Sequence, residues 1–211
     1  MQAIIDPIDT KILIEELTKE RFVRHTTFGH NEIYIINHHN SPNLMKEVGR
    51  LREVSFREAG GGTGMPLDID SFDTAEVPYE QLIVWSPLEK EIIGGYRFIK
   101  LKNVKPDENG KYHLATTHMF DFSTLFVEKY LNQTIELGRS FVQPKFQPTK
   151  DSRKGIFSLD NLWDGLGALI IDNPDVNYFF GKVTMYLKFN QEARDYIHYF
   201  MQKYFPDNEN L

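Results

Sequence analysis

The hydrophobic and polar positions of the chain switch repeatedly between the period of a strand and the period of a helix. Runs rich in β-branched and aromatic residues predict strands, because such side chains favour an extended, half-buried backbone. Two of these runs are joined by a short turn, Pro87 to Lys90, which predicts an antiparallel hairpin. The predicted strands are residues 32–37, 80–85, 91–99, 134–142 and 177–186, with a short extended piece at 113–119.

Other stretches repeat their apolar residues at steps of three and four, which predicts helices with one buried face. We expect the aromatic face of the last helix to pack in the core. The predicted helices are residues 8–19, 41–58 (opened by Ser41 or Asn43), 123–132, 158–171 and 191–205. The alternation of helices and strands predicts an α/β or α+β fold, with three layers around one mixed, mostly antiparallel sheet.

Composition limits the class of protein. The 211 residues are 41% hydrophobic and 26% charged, which is typical of a globular domain. The net charge of -6 gives no support to a nucleic-acid partner, and the absence of cysteine excludes thiolate catalysis and disulfides. The N-terminus has neither a basic segment nor a long apolar run, so we expect no signal peptide and a cytoplasmic location.

The candidate chemistry is concentrated in the strand Thr134 to Val142. It carries a carboxylate, Glu136, and a guanidinium, Arg139. Strict alternation would place these two side chains on opposite faces of a sheet. Gly138 lies between them, and a glycine inside a strand often marks a bulge that redirects the following side chains. A bulge here would bring both groups to one pocket. The alternative is a strand with an ordinary ion pair.

A second group of charged residues follows the helix 41–58. Spacing alone makes Arg52 a solvated helix arginine with Phe56 on the same flank. The glycines of residues 60–64 lack the lysine of a phosphate-binding loop, so we expect a mobile loop or lid. Asp68, Asp70 and Asp73 lack the spacing of a calcium loop, and we interpret them as turn carboxylates or as ligands for a substrate cation.

The segment from residue 143 to 155 is basic in an otherwise acidic chain. It contains Lys145, Lys150, Arg153 and Lys154 against a single acid, Asp151. A solvated surface is the simplest interpretation of such a run, although it stands out directly after the candidate strand.

Six pieces in sequence order make residues 40 to 205 resemble N-acyltransferases of the GNAT-like fold. Two related groups are the most similar: the acyl-homoserine-lactone autoinducer synthases, and the bacterial acyl-acyl-carrier-protein-dependent N-acyltransferases of ornithine and glycine lipids, often called hemolysin-like. The lipid-forming group carries a Glu-Leu-Gly-Arg-Ser run like that of Glu136 to Ser140. The other pieces are Leu51-Arg52 with Phe56, Asp70 with Asp73, Gly95 to Phe98, Leu162 to Leu166, and Phe180 to Lys182.

The resemblance implies a single N-acyltransferase domain over residues 1–211, with a helix and strand in 1–40 and the acyltransferase core in 41–205. It implies no permanently bound cofactor and a thioester donor. Residues 150–155 have one glycine where relatives that use acetyl-coenzyme A carry a glycine-rich pyrophosphate loop, so acyl-phosphopantetheine on a carrier protein fits better than acyl-coenzyme A. Lys145, Lys150, Arg153 and Lys154 would then dock the acyl carrier protein.

Acyl transfer from a thioester to an amine requires a base and an oxyanion donor, and the candidate residues can be given these roles. Glu136 would act as the base, through a water, with a pKa raised by burial. The backbone amides around Gly138 would stabilise the oxyanion, and Arg139 would support the structure or bind a carboxylate or phosphate. Asp70 and Asp73 would hold an ammonium group, or pair with Arg52 and Arg97 to order the loop. The substrate-binding candidates are Arg52, Phe56, Asp70, Asp73, Arg97, Phe98 and Ser140, and nothing in this set requires a metal.

The expected reaction moves a (3-hydroxy)fatty acyl group from acyl-acyl carrier protein to the α-amine of glycine or ornithine, giving a lyso-aminolipid. Peripheral contact with a membrane would follow from such a lipid product. Two alternatives stay open from the residues alone. One is an autoinducer-type synthase that uses S-adenosylmethionine, and the other is a non-catalytic acyl- or lipid-binding module on the same fold.

Overall fold

A computed structural model describes residues 1–147 and 155–211, which form one mixed sheet flanked by helices. The strands are β1 (Phe22–His25), β2 (Glu32–Ile36), β3 (Glu80–Ser86), β4 (Glu91–Lys100), β5 (Thr134–Val142) and β6 (Tyr178–Gly181). The helices are α1 (Thr10–Glu16), α2 (Pro42–Ala59), α3 (Ser71–Thr74), α4 (Thr124–Lys129), α5 (Ser158–Asp172) and α6 (Gln191–Tyr204).

The strands of the described residues are ordered β1-β2-β3-β4-β5-β6 across the sheet. Each strand from β1 to β5 is antiparallel to its neighbour, and β6 is parallel to β5 because α5 makes the crossover between them. The predicted fold class and the β3–β4 hairpin are confirmed.

The two faces of the sheet carry separate apolar clusters. On one face, Leu44, Val48 and Leu51 of α2 pack against Ile83 and its neighbours. On the other face, Leu162 and Leu166 of α5 pack against another part of the sheet. The stripe predicted on α2 is therefore buried as expected, and it fixes the side of the helix that faces the sheet.

The N-terminus of α2 is capped by another helix. Ser41 is the N-cap residue but makes no side-chain capping bond. Instead, the carboxylate of Glu16 in α1 accepts hydrogen bonds from the amides of Asn43 (3.1 Å) and Leu44 (2.8 Å). Glu16 thereby satisfies orphan amides and places a negative charge at the positive end of the helix.

Several local predictions are wrong. Residues 115–119 form turns in place of an extended piece, because Thr117 and Met119 bond back to carbonyls three residues earlier. The strand predicted at 177–186 ends at Gly181, where its pairing with β5 stops. The short strand β1 was not predicted, since four half-exposed residues carry little periodicity.

The last helix, α6, lies on the surface, where the prediction had placed its aromatic face in the core. None of its residues is buried, and Tyr196, Tyr199 and Phe200 are among the exposed side chains. Ile170 of α5 is also exposed, although the apolar spacing of the helix 158–171 would place it with Leu162 and Leu166 on the inner face. In the part of the chain that the structure describes, no helix combines the length and apolar character needed to cross a membrane.

The close contact between β4 and β5 predicts the effect of a small substitution. A methyl carbon added at Gly94 would lie 2.3 Å from the carbonyl oxygen of Phe141, whereas one added at Gly167 in α5 would meet no atom within 4 Å. We expect Gly94→Ala to lower the free energy of unfolding by about 1–3 kcal/mol through overpacking. Gly167→Ala is the control and should be neutral or stabilising by up to about 1 kcal/mol. Urea titration of both variants checks this, and equal stabilities would contradict it.

Candidate active site

Strand register places the first set of site residues on one face of the sheet. Gln81 of β3 is opposite Arg97 of β4, and Arg97 is opposite Gly138 of β5. Directly paired residues share a face, and so do residues two apart in one strand. Gln81, Arg97 and Glu136 therefore all point towards α2.

A β-bulge in β5 adds Arg139 to this face. Gly95 pairs with Phe141 and Arg97 with Gly138, so β5 uses one residue more than β4 between these two positions. The predicted bulge is present, but the left-handed residue is Arg139, at φ 47°, and not Gly138. Gly138 has open space where a side chain would stand, because it faces a cavity. The extra residue places Arg139 on the same face as Glu136, whereas regular alternation would place it on the opposite face.

Arg52 of α2 lies at the centre of a buried charge network. Its side chain is 0% exposed, contrary to the solvated arginine that spacing alone suggested. It donates to Asp73 Oδ2 at 3.1 Å, to the Asp68 carbonyl at 3.2 Å, and to Gln81 Oε1. A buried guanidinium requires such partners to offset the loss of water.

Two more arginines complete the network. Arg97 donates to both carboxylate oxygens of Asp70, at 2.7 and 2.8 Å, and lies 3.3 Å from Asp73. Arg139 Nε lies 2.9 Å from Asp68, and Arg139 makes no ion pair with Glu136. We call the six residues Arg52, Arg97, Arg139, Asp68, Asp70 and Asp73 the charge network.

In this structure the aspartates pair with arginines, which is the second of the two roles expected for them. Asp70 also caps α3, where it accepts from the amides of Phe72 and Asp73. Burial acts to raise the pKa of Asp70, but Arg97 and Arg139 outweigh it and lower that pKa. Asp70 and Asp73 are thus both engaged by arginines, and these ion pairs hold the segment after α2 in place.

Glu136 lies beside the network but outside it. Its side chain is 1% exposed, and Oε2 accepts a hydrogen bond of 3.1 Å from the Tyr79 hydroxyl. The Tyr79 hydroxyl in turn accepts from the Ala115 amide at 3.0 Å, which fixes its orientation. Burial raises the pKa of Glu136 to about 7, while Tyr79 and Arg97 act in the opposite direction. Near neutral pH this carboxyl can both accept and release a proton.

A cavity of about 620 Å³ opens in front of Glu136. It exists because β5 and β6 pair only as far as Leu137 and Gly181, and the two strands diverge beyond these residues. Gly181 marks a close approach of the two strands: a methyl carbon there would lie 2.7 Å from the Leu137 carbonyl oxygen. We call this space the site cavity; its lining includes Phe56, Asp68, Arg97, Thr116, Glu136 to Ser140, and Lys182 to Thr184 with Tyr186.

The glycine-rich loop forms one side of the site cavity. The carboxylate of Glu53 accepts from the amides of Thr63 (2.9 Å) and Gly64 (2.8 Å) and from the Thr63 hydroxyl. Burial acts to raise the pKa of Glu53, but these bonds and Arg57 lower it to about 2. The loop donates three hydrogen bonds to Glu53. We therefore interpret the loop as a fixed side of the cavity and not as a lid.

The remaining predicted site residues are distributed as follows. Phe56 and Ser140 line the site cavity. Phe98 does not: it is 1% exposed and packs in the cluster beneath α5, because it follows Arg97 and so points to the opposite face. Lys145 is engaged by Glu91 in an ion pair. Lys150, Arg153 and Lys154 lie outside the described residues, so their docking role stays a prediction.

Sequence reasoning missed several residues of the site. Gln81, Tyr79 and Thr116 carry no motif, and only the folded chain brings them to Arg52 and Glu136. Asp68 was noted in the aspartate group but not assigned to the site, although its spacing from Asp70 was a usable signal. Lys182 belongs to the segment Phe180 to Lys182, which contributes to the family resemblance, but the sequence assigns it no role.

Comparisons with known proteins find one family model and two similar curated proteins. A model of the acetyltransferase (GNAT) domain matches residues 51–153. The chain is 56% identical over 211 residues to glycine N(alpha)-acyltransferase of Bacteroides thetaiotaomicron, covering 100% of this chain and 63% of that protein. It is 54% identical to glycine N(alpha)-acyltransferase of Phocaeicola vulgatus, covering 100% of this chain and 65% of that protein.

The chain thus spans slightly less than two thirds of the length of these two relatives. No solved structure matches it. The mixed sheet with helices on both faces is consistent with the GNAT fold.

Removing the central guanidinium should destabilise the protein strongly. Arg52→Gln removes one of the two arginines that pair with Asp73 in a fully buried site, and we expect a loss of about 3–5 kcal/mol in the free energy of unfolding. Lys102→Gln also breaks an ion pair, with Asp175, but both side chains are at least 36% exposed, so the loss should be at most about 1 kcal/mol. Denaturant titration compares the two, and similar losses would show that burial is not the deciding factor.

Glu136 should make stability depend on pH in a defined direction. A pKa raised from 4.5 to about 7 means that the folded chain holds this proton more tightly, so the stabilisation is complete below pH 4.5 and lost as pH rises through 7. Glu136→Gln removes the dependence. We expect the variant to match the parent near pH 4.5 and to be more stable by about 3 kcal/mol at pH 8. Unfolding curves at both pH values test this; a stability difference independent of pH would refute it.

Proposed function

We propose that this chain transfers a fatty acyl group from a thioester to the α-amine of an amino acid, with glycine as the acceptor. The observation that carries the proposal is Glu136, a buried carboxyl with a pKa near 7 at the end of an open cavity. The two relatives, both glycine N(alpha)-acyltransferases by name, support the acceptor and the reaction. The GNAT match over residues 51–153 supports the acyltransferase class.

The reaction needs an uncharged amine, a positioned carbonyl and a place for the negative charge that develops. Glu136 accepts a proton from the substrate ammonium, directly or through a water. The free amine attacks the thioester carbonyl, and the tetrahedral intermediate collapses with cleavage of the C–S bond. The attacking nitrogen loses its second proton, which the departing thiolate takes up. The thioester is already activated, so no protein nucleophile is required.

The bulge supplies a surface for the donor. Arg139 and Ser140 have no paired residue on β4, and they line the cavity where β5 and β6 separate. Backbone amides released from the ladder at such a position can bind the oxyanion and the amide groups of a pantetheine arm. The cavity is far larger than an amino acid requires, and Phe56, Leu137 and Val183 give it apolar surface for an acyl chain.

The donor in this proposal is a (3-hydroxy)acyl chain on acyl carrier protein, and the product is an N-acyl amino acid, a lyso-aminolipid. An acidic carrier protein would dock at the basic residues that follow β5, of which Lys145 is exposed beside Glu91. A product with a carboxylate head and a long apolar tail partitions into lipid, so it would bring the protein into peripheral contact with a membrane.

The direct test is release of the thiol from 3-hydroxyacyl-carrier protein, with glycine, ornithine, lysine and S-adenosylmethionine offered in parallel and products identified by mass spectrometry. We expect N-acylglycine as the main product. Release only with S-adenosylmethionine would replace the proposal with an autoinducer-type synthase. Absence of release from folded protein that still binds the carrier would replace it with a binding module.

The role of Glu136 has its own test. We expect Glu136→Gln to lower kcat by about 10²- to 10⁴-fold, the usual contribution of a general base. For the parent, kcat should rise with pH through about 7, because the carboxylate form is the active one. Glu80→Gln is the control, since Glu80 is a partly buried carboxyl whose pKa burial also raises, but it lies on the other face of β3. Equal losses in both variants would contradict the assignment.

A further inference from the structure

Lys182 occupies a distinctive position at the mouth of the site cavity. It directly follows Gly181, the last residue of β6 to pair with β5. Phe180, two residues earlier, pairs with Glu136, so alternation aims Lys182 towards the face that carries Glu136. Lys182 and Glu136 both line the cavity, and each affects the other's pKa.

The charges around the site cavity leave two groups uncompensated. The charge network contains three arginines and three aspartates, so it carries no net charge. Glu136 forms no ion pair among the described residues, and its hydrogen bond comes from the neutral Tyr79. Within the same part of the chain, Lys182 forms no ion pair, and its polar contact is the Met119 sulfur at 3.8 Å.

An amino-acid zwitterion has the complementary pattern. Its ammonium and its carboxylate are separated by a single carbon, so a small acceptor needs a base and a cation that face the same space. The Thr116 hydroxyl adds a further polar group: Thr116 is 2% exposed, lines the cavity beside Glu136, and acts to lower the pKa of that carboxyl.

We propose that Lys182 binds the carboxylate of the acceptor amino acid while Glu136 receives the proton of its ammonium group. This inference rests on the proposed function and names the residue that selects an α-amino acid over a simple amine. Burial, together with Arg139 and Arg97, lowers the pKa of Lys182 against the effect of Glu136. A bound carboxylate would relieve this repulsion from neighbouring cations.

The test compares two acceptors that differ only in the charge of the group that Lys182 would bind. Glycine carries a carboxylate, and glycinamide carries a neutral amide. We expect Lys182→Met to raise the KM for glycine about tenfold, the lower end for a charge-assisted hydrogen bond at a partly exposed site. The kcat/KM for glycinamide and the KM for the acyl donor should stay within about twofold. Lys182→Arg should restore most of the preference for glycine.

Lys105→Met is the matched control, because Lys105 is an exposed lysine outside the cavity. This substitution should leave the KM for glycine and the kcat/KM for glycinamide unchanged. Equal losses with glycine and glycinamide, or a raised KM for the acyl donor, would overturn the proposal for Lys182. If the parent acylates no acceptor, the proposed function fails, and glycine binding measured by calorimetry tests Lys182 separately. Binding that is equal in the parent and in Lys182→Met would then refute it.

Discussion

The buried ion pair between Arg52 and Asp73 is the constraint on which the rest of the site depends. Arg52 is anchored in α2, Asp73 lies in α3, and Gln81, which bonds to both, belongs to β3. Three elements are thus joined at one guanidinium that has lost all its water. Because such a cation is costly to bury alone, the segment carrying Asp68 to Asp73 must lie where it does. That placement brings Asp70 and Asp68 within reach of the arginines of β4 and β5.

Pairing within the charge network also determines the chemistry of Glu136. An arginine directed at a carboxylate lowers its pKa, and Arg97 is near enough to do so. Arg97 is held by Asp70 and Asp73 instead, so the burial of Glu136 prevails and its pKa rises to about 7. An acid of ordinary pKa would be a weak base at neutral pH. By pairing with Arg97, the two aspartates leave Glu136, the base in the proposed reaction, without an arginine ion pair of its own among the described residues.

What could be predicted from sequence follows the range of the interactions involved. The strand Thr134–Val142, the stripe of α2 and the bulge near Gly138 are local patterns, and all three are present. The burial of Arg52 depends on partners 21 and 29 residues away, and the partner of Arg139 is 71 residues away, so no local pattern reveals them. The aromatic face of α6 shows a different limit: periodicity indicates that a face is apolar but does not specify its surroundings.

The site lies where the sheet departs from regularity. A fully paired β5 would alternate without interruption, so that Glu136 and Arg139 would face opposite sides. The bulge removes that restriction and holds Arg139 at φ 47°, a conformation unfavourable for a residue with a side chain. The ion pair with Asp68 helps to offset that strain. Beyond Leu137 the loss of pairing with β6 opens the cavity. Regular pairing on one side of Leu137 therefore fixes the position of Glu136, and irregular backbone on the other side opens the cavity in front of it.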